Sequence, residues 1–331
     1  VSATQLIGEI ALRVLRISLL IVLGVYLANV AVDRGVIETI ARGSRWLTRP
    51  AHLPDEVGTA IVTTAASTTA GYGMLAEFRT QGRLSDRETV IAVIMNTFFG
   101  FIQHIFTFYA PVLIPILGLQ VGLLYVSFRA AIALSITVCG VVLGAILLGV
   151  PGRSDADTTA PSPVGPQGTA RERTLRTVRR IIPRLAVVYG VVTYLVEVYD
   201  LTAIGAVGAP LVASVDLPTA AVGVIAIFTL DTTAGAATIA PLIGSVFTPQ
   251  TAVATLLIGG IVSFTVSTFK RSIPFQVGVW GPEFGVKIVL VNTVFKIVFI
   301  SIAVAALLSV GGVGEGDPIG RGRGDGIEQC G

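Results

Sequence analysis

Long apolar runs separated by short polar segments set the pattern of this chain. Residues 119–150 contain one charged side chain, Arg129, and residues 288–310 contain one, Lys296. A helix of roughly 20 apolar residues crosses the hydrocarbon of a bilayer, so both runs predict membrane-spanning helices. Residues 17–32 and 185–198 are apolar in the same way, one near the start of each half. The first has the look of a signal-peptide core, but its counterpart marks it as a permanent helix. Other runs are shorter. Residues 56–66 and 70–78 form two arms of about 10 residues each, or about 15 Å of helix, half the hydrocarbon thickness. Residues 218–230 and 234–246 repeat that arrangement. Between the arms sits a small polar break, Ser67-Thr68-Thr69-Ala70-Gly71 in one half and Asp231-Thr232-Thr233-Ala234-Gly235 in the other.

The two breaks belong to a longer register. Adding 164 carries Leu53-Pro54 onto Leu217-Pro218 and the first break onto the second. Adding 163 carries Pro111 onto Pro274, Gly118 onto Gly281 and Gly122 onto Gly285, and adding 166 carries Gly24 onto Gly190. So little drift over so long a unit points to duplication. The expected organisation is a first repeat at 1–150 with a short hairpin at about 53–79, a flexible linker at 151–175, and a second repeat at 176–310 with a hairpin at about 217–247. A Gly-rich tail at 311–331 is expected to be disordered. The chain begins at Val1 rather than Met, so its start reads as processed or trimmed.

Composition agrees. Charged residues are 13% of the chain and hydrophobic ones 53%, against norms near 25% and 45–50% for soluble domains. Mean hydropathy is +0.83. Two cysteines and two histidines are too few for a disulfide framework or a protein-only zinc site.

Arginine placement sets orientation. The linker region carries Arg153, Arg171, Arg173, Arg176, Arg179, Arg180 and Arg184, which puts it on the cytoplasmic side of the cell membrane. Arg34, Arg42, Arg45 and Arg49 follow the first helix, while the matching residues 200–217 have no Lys or Arg. Arg79, Arg83 and Arg87 are likewise unmatched in residues 243–250. Later the bias reverses, with Lys270, Arg271 and Lys287 set against an uncharged stretch at 109–120. Matching connections facing opposite compartments are the charge signature of an inverted repeat. Inversion requires an odd number of crossings per repeat. The expected fold is therefore an all-α polytopic membrane protein, each repeat having three transmembrane helices and one re-entrant hairpin. Non-helical backbone at such depth must lie within protein or line a wet cavity. Residues 36–48, with Trp46, read as a helix lying in the interface.

Candidate chemistry gathers at the breaks and on one helix. Asp231, an ionisable group at mid-membrane depth, is either a helix cap or the residue that couples H⁺ or Na⁺ to movement of a solute. Ser67 takes the cap position in the other half. Thr68, Thr69, Thr232 and Thr233 offer hydroxyls to a polar ligand or to a neighbouring helix. Asn96, Gly100, Gln103 and His104 recur at i, i+4, i+7 and i+8, so they share a face. Ser263, Ser267, Lys270 and Arg271 have the same spacing. Arg129 matches Asn292 in the repeat. It is read chiefly as a structural pair with Glu77 or Glu197 or as a snorkelling cation, with an anionic ligand as the alternative.

Duplicated STTAG and DTTAG tips between half-length helices resemble the Gate-domain membrane proteins. These are often labelled "nucleoside recognition" and are related to concentrative nucleoside transporters and the ferrous-iron permease core. The resemblance spans roughly residues 10–310. It implies an inverted-repeat transporter fold, a site between hairpin tips and broken helices, and a tendency toward homo-oligomers. The expected function is a permease for a small polar solute, nucleoside-like or ion-coupled, with no organic cofactor and no nucleic-acid partner. The alternative is a membrane scaffold or assembly factor that keeps the fold. An enzyme is not expected: Asp231 has no second intramembrane Asp, His104 has no obvious serine partner, and no Walker A loop is present.

Overall fold

The computed structural model describes residues 3–34, 48–148, 169–172, 174–176, 178–179, 182–183, 186–187, 215, 217–267 and 272–312. Residues 36–47 of the expected interfacial helix, most of the linker, Glu197, Lys270, Arg271 and the tail beyond 312 lie outside them. Apart from one bridge between Ile243 and Phe247, the regular structure among the described residues is helical.

Helix α1 covers Ala3–Asp33. Two short helices follow, α2 (Asp55–Ala66) and α3 (Thr68–Thr80), joined through the single residue Ser67. Next comes a long broken helix made of α4 (Asp86–Met95), α5 (Thr97–His104), a π-helical stretch (Ile105–Leu113) and α6 (Ile114–Leu117). Helix α7 (Leu119–Leu147) ends the first half. The second half repeats the order with α8 (Ala221–Leu230), α9 (Thr232–Ile239), α10 (Pro249–Ser267), α11 (Ile273–Trp280) and α12 (Pro282–Gly312).

Three helical stretches, Asp86–Leu117, Leu119–Leu147 and Pro282–Ser309, are long and apolar enough to cross a membrane, which suggests a membrane protein. On α12 the exposed Leu290, Val294, Val298 and Ile302 recur every four residues. They form one outward apolar stripe, which suits contact with lipid tails and not water.

Local chemistry explains the boundaries. Ser85 and Glu88 build a reciprocal capping box: the Glu88 amide donates to Ser85 Oγ at 3.3 Å and the Ser85 amide to Glu88 Oε2 at 2.7 Å, which starts α4. Pro111 lacks the N–H that an α-helical turn would need. The stretch around it widens, and the Ile114 amide reaches back five residues to the Tyr109 carbonyl. Gly118 (φ +79°) and Gly281 (φ +82°) make the turns into α7 and α12, in a backbone region that L side chains rarely adopt.

Local geometry repeats at the register found in the sequence. Ser67 and Asp231 share extended backbone, with φ −149° in both. The Gly71 amide donates to the Ser67 carbonyl at 3.0 Å and the Gly235 amide to that of Asp231 at 2.9 Å. Gly122 lies against Ile114 and Gly285 against Gln276, each too close for a Cβ. Packing between halves is also reciprocal. Helix α3 of the first hairpin contacts α11, and α9 of the second contacts α6.

Two apolar clusters hold these elements. One, with Val57, Ile61, Leu75, Ile91 and Met95, joins the first hairpin to α4 and to Trp280 and Phe284. The other gathers Ile21, Leu113, Tyr125, Ile136, Phe228, Ile239, Leu256 and Ile300 around α7 and α10.

Candidate functional site

Where α3, α5, α7, α10 and α12 converge, they leave a cavity of about 190 Å³. Its polar lining includes Thr68, Asn96, His104, Tyr109, Arg129, Asn292 and Lys296, set against Ile132, Ile136, Phe264 and Ile300. A hairpin tip, a helix break and two long spans thus contribute to one space.

The helix break explains why polar groups reach it. Asn96 interrupts α4 and α5 and is 1% exposed. Its Nδ2 donates to Thr64 Oγ1 of α2 at 2.8 Å, and Thr64 Oγ1 donates to the Ala60 carbonyl at 3.1 Å. Thr137 of α7 braces the same break from the other side. Its hydroxyl donates to the Met95 carbonyl at 3.0 Å and accepts from the Phe98 amide at 3.1 Å. Asn96 Oδ1 is buried without a partner. An orphan of that kind costs about 1–3 kcal/mol, so its persistence beside a cavity calls for a donor from outside the protein.

Two cations face the same space from different spans. Arg129 donates to the Tyr109 hydroxyl at 3.3 Å, and its guanidinium lies 6.0 Å from the Phe264 ring centre. Lys296 Nζ sits 4.4 Å from that ring centre. Among the described residues the one ion pair joins Arg79 to Asp86, at 2.7 Å on the surface. Glu77, a suggested partner for Arg129, is exposed and accepts from Gln81 Nε2 at 2.7 Å instead. At the tip, Thr68 Oγ1 donates to Gln103 Oε1, and the Tyr72 hydroxyl faces the amides of Asn292 and Gln276. His104 Nδ1 donates to the Gly100 carbonyl at 3.0 Å, which leaves Nε2 to the cavity side.

The candidates named from the sequence fall into two groups. Thr68, Asn96, His104 and Asn292 line the cavity, and Gln103 is tied to Thr68. Ser67, Thr69, Asp231, Thr232 and Thr233 lie outside the lining. Ser67 Oγ accepts from the Ala70 amide at 3.3 Å and Asp231 Oδ1 from the Ala234 amide at 2.9 Å, so both residues cap the helix that follows them. Thr69 is exposed. The cavity therefore sits beside the first tip and not midway between the two. Lys296 and Tyr109 were not among the candidates, and Arg129 was read first as structural. Asp231→Ala is expected to lower stability by about 1 kcal/mol, while Asp231→Asn keeps a capping oxygen and melts like the wild type. Thermal melting of the two purified variants checks this.

No family model matches the chain, and no solved structure matches it. Two proteins of Methanocaldococcus jannaschii are similar to it over most of its length. Uncharacterized protein MJ0871 is 25% identical over 303 residues, which is 89% of this chain and 93% of its own. Uncharacterized protein MJ0880 is 22% identical over 303 residues, 89% of this chain and 97% of its own. Alignments of that length run through both halves.

Proposed function

We propose that the chain is a permease for a small polar solute, built as an inverted two-fold repeat in which each half sends a re-entrant hairpin into the bilayer from its own side. The solute sits in the cavity beside Thr68. The observation that carries this reading is the cavity itself: polar groups from a hairpin tip and a broken helix converge inside a bundle whose outer face is apolar. Such groups are costly in hydrocarbon and concentrate where solutes or ions pass. The reciprocal packing of α3 on α11 and α9 on α6 supports the repeat. So do the equivalent places of Arg129 and Asn292, which line the cavity from the last helix of each half. The likeness to Gate-domain proteins favours the same architecture. Asp231, which caps α9, is the candidate for ion coupling on the second side.

Two measurements test this. Gln81 and Ser245 are exposed and related by the 164-residue register. Cysteines placed there should react with an impermeant maleimide from opposite faces of sealed vesicles, and labelling from one face removes the inverted repeat. In proteoliposomes, Asp231→Asn should lose pH- or sodium-driven uptake while melting unchanged. Full uptake in that variant removes the coupling role. An absence of flux for a panel of small anions, nucleobases and nucleosides removes the permease.

A further inference from the structure

We infer that the solute is a small hydroxycarboxylate, its carboxylate held between Arg129 and Lys296 and its hydroxyl donating to Asn96. The inference rests on the permease reading and narrows its substrate.

Charge is the first reason. Arg129 and Lys296 project from different spans onto one aromatic ring, that of Phe264, and line the same cavity. Like charges repel, and each is taken from water at a cost that the edge of an aromatic face does not recover. Among the described residues no carboxylate lines the cavity with them. An anion between them removes both penalties. Arg129 brings a planar fork suited to a carboxylate, and Lys296 adds a point charge.

The second reason is Asn96. Its Nδ2 is committed to Thr64, while Oδ1 is fully buried and has no partner in the protein. An acceptor needs a donor, which acetate or chloride cannot provide and a hydroxyl can. Arg129 and Ile136 mark two levels of the lining on α7, seven residues apart, or about 10 Å along the axis. The cationic and amide ends are thus spaced for a short molecule with different groups at its two ends.

Size is the third. A cavity of about 150 Å³ takes a benzene ring. The 190 Å³ here then suits a solute of roughly six to nine heavy atoms, about half the size of a nucleoside. The apolar wall of Ile132, Ile136 and Ile300 accommodates a short carbon chain.

The test is binding to the purified full chain in nanodiscs and chloride-free buffer, by calorimetry and melting, with lactate, acetate, inorganic phosphate and uridine as probes. Lactate should bind at least tenfold more tightly than acetate, and uridine should not bind. Arg129→Gln and Lys296→Gln should each weaken lactate at least tenfold, while Arg129→Lys and Lys296→Arg keep most of the affinity and show that the site still folds. Lactate binding unchanged in both neutral variants, or phosphate binding as tightly as lactate, overturns the proposal. So does lactate binding that is absent in the wild type and emerges on Glu197→Gln, which would identify an internal counter-ion. Lactate binding without lactate flux in proteoliposomes leaves this site standing and removes the permease reading. Flux of a neutral solute without anion binding does the reverse.

Discussion

Valine at Gly71 leaves little folded protein in the membrane, while alanine at Gly73, two positions on, raises the melting temperature. Both glycines lie in α3. A Cβ at Gly71 would stand 2.7 Å from the Ala60 carbonyl oxygen and from the Thr64 amide, and would overlap the Thr64 hydroxyl. The obstruction is largely backbone of α2, which cannot swing aside, so the hairpin must open. Overpacking of this kind costs about 1–3 kcal/mol, and the branched valine belongs at the upper end. At Gly73 a Cβ meets nothing within 4 Å, so Gly73→Ala keeps only the helix-propensity gain of about 1 kcal/mol. Melting of the detergent-solubilised variants reads both signs. A Gly71→Val protein as stable as wild type would show that α2 and α3 do not pack as described. The second hairpin repeats the test, since a Cβ at Gly235 would lie 2.7 Å from Phe228 Cδ2 while Gly223 is open.

Thr137→Val is the second large effect, and it reaches the site without touching it. The substitution keeps the side-chain volume and removes one hydroxyl, which both donates to Met95 and accepts from Phe98. The Phe98 amide and the Met95 carbonyl then face each other across the helix break without a partner. Leaving such groups unsatisfied costs about 1–3 kcal/mol. The break also aims Asn96 at the cavity, so solute binding should fall with stability. Thr137→Ser restores the hydroxyl and should recover most of both. Melting and binding measured on the same preparations check the pair. Thr137→Val with wild-type melting and binding would mean that the bridge contributes nothing.

Several features were readable in the sequence because they depend on residue types with few substitutes. The two tips are visible as TTAG since capping needs a short oxygen-bearing side chain and the hairpin needs a glycine where two helices touch. Gly118 and Gly281 are visible for a different reason, a positive φ. The shared face of Asn96, Gly100 and His104 follows from helical spacing, and all three line the cavity. What the sequence withheld depends on packing between distant elements. Helix α7 is apolar on nearly every side, so nothing local indicates that Arg129 turns toward α10 and α12 and away from lipid. Lys296 has the same ambiguity on α12. Tyr109 was out of reach because the π-helical stretch around Pro111 shifts the phase of the helix beyond His104. Asp231 drew notice as a charge, yet its side chain caps α9 and lies apart from the cavity.

The matched caps at Ser67 and Asp231 have an evolutionary corollary. At each apex the backbone demands an oxygen three residues before an amide and is indifferent to whether that oxygen belongs to an alcohol or an acid. After a gene doubles, such a position can acquire or shed ionisation with the scaffold unaltered. The two sides of an ancestral symmetric protein could in this way have diverged electrostatically, one keeping a neutral apex next to a basic chamber and the other gaining an acidic one.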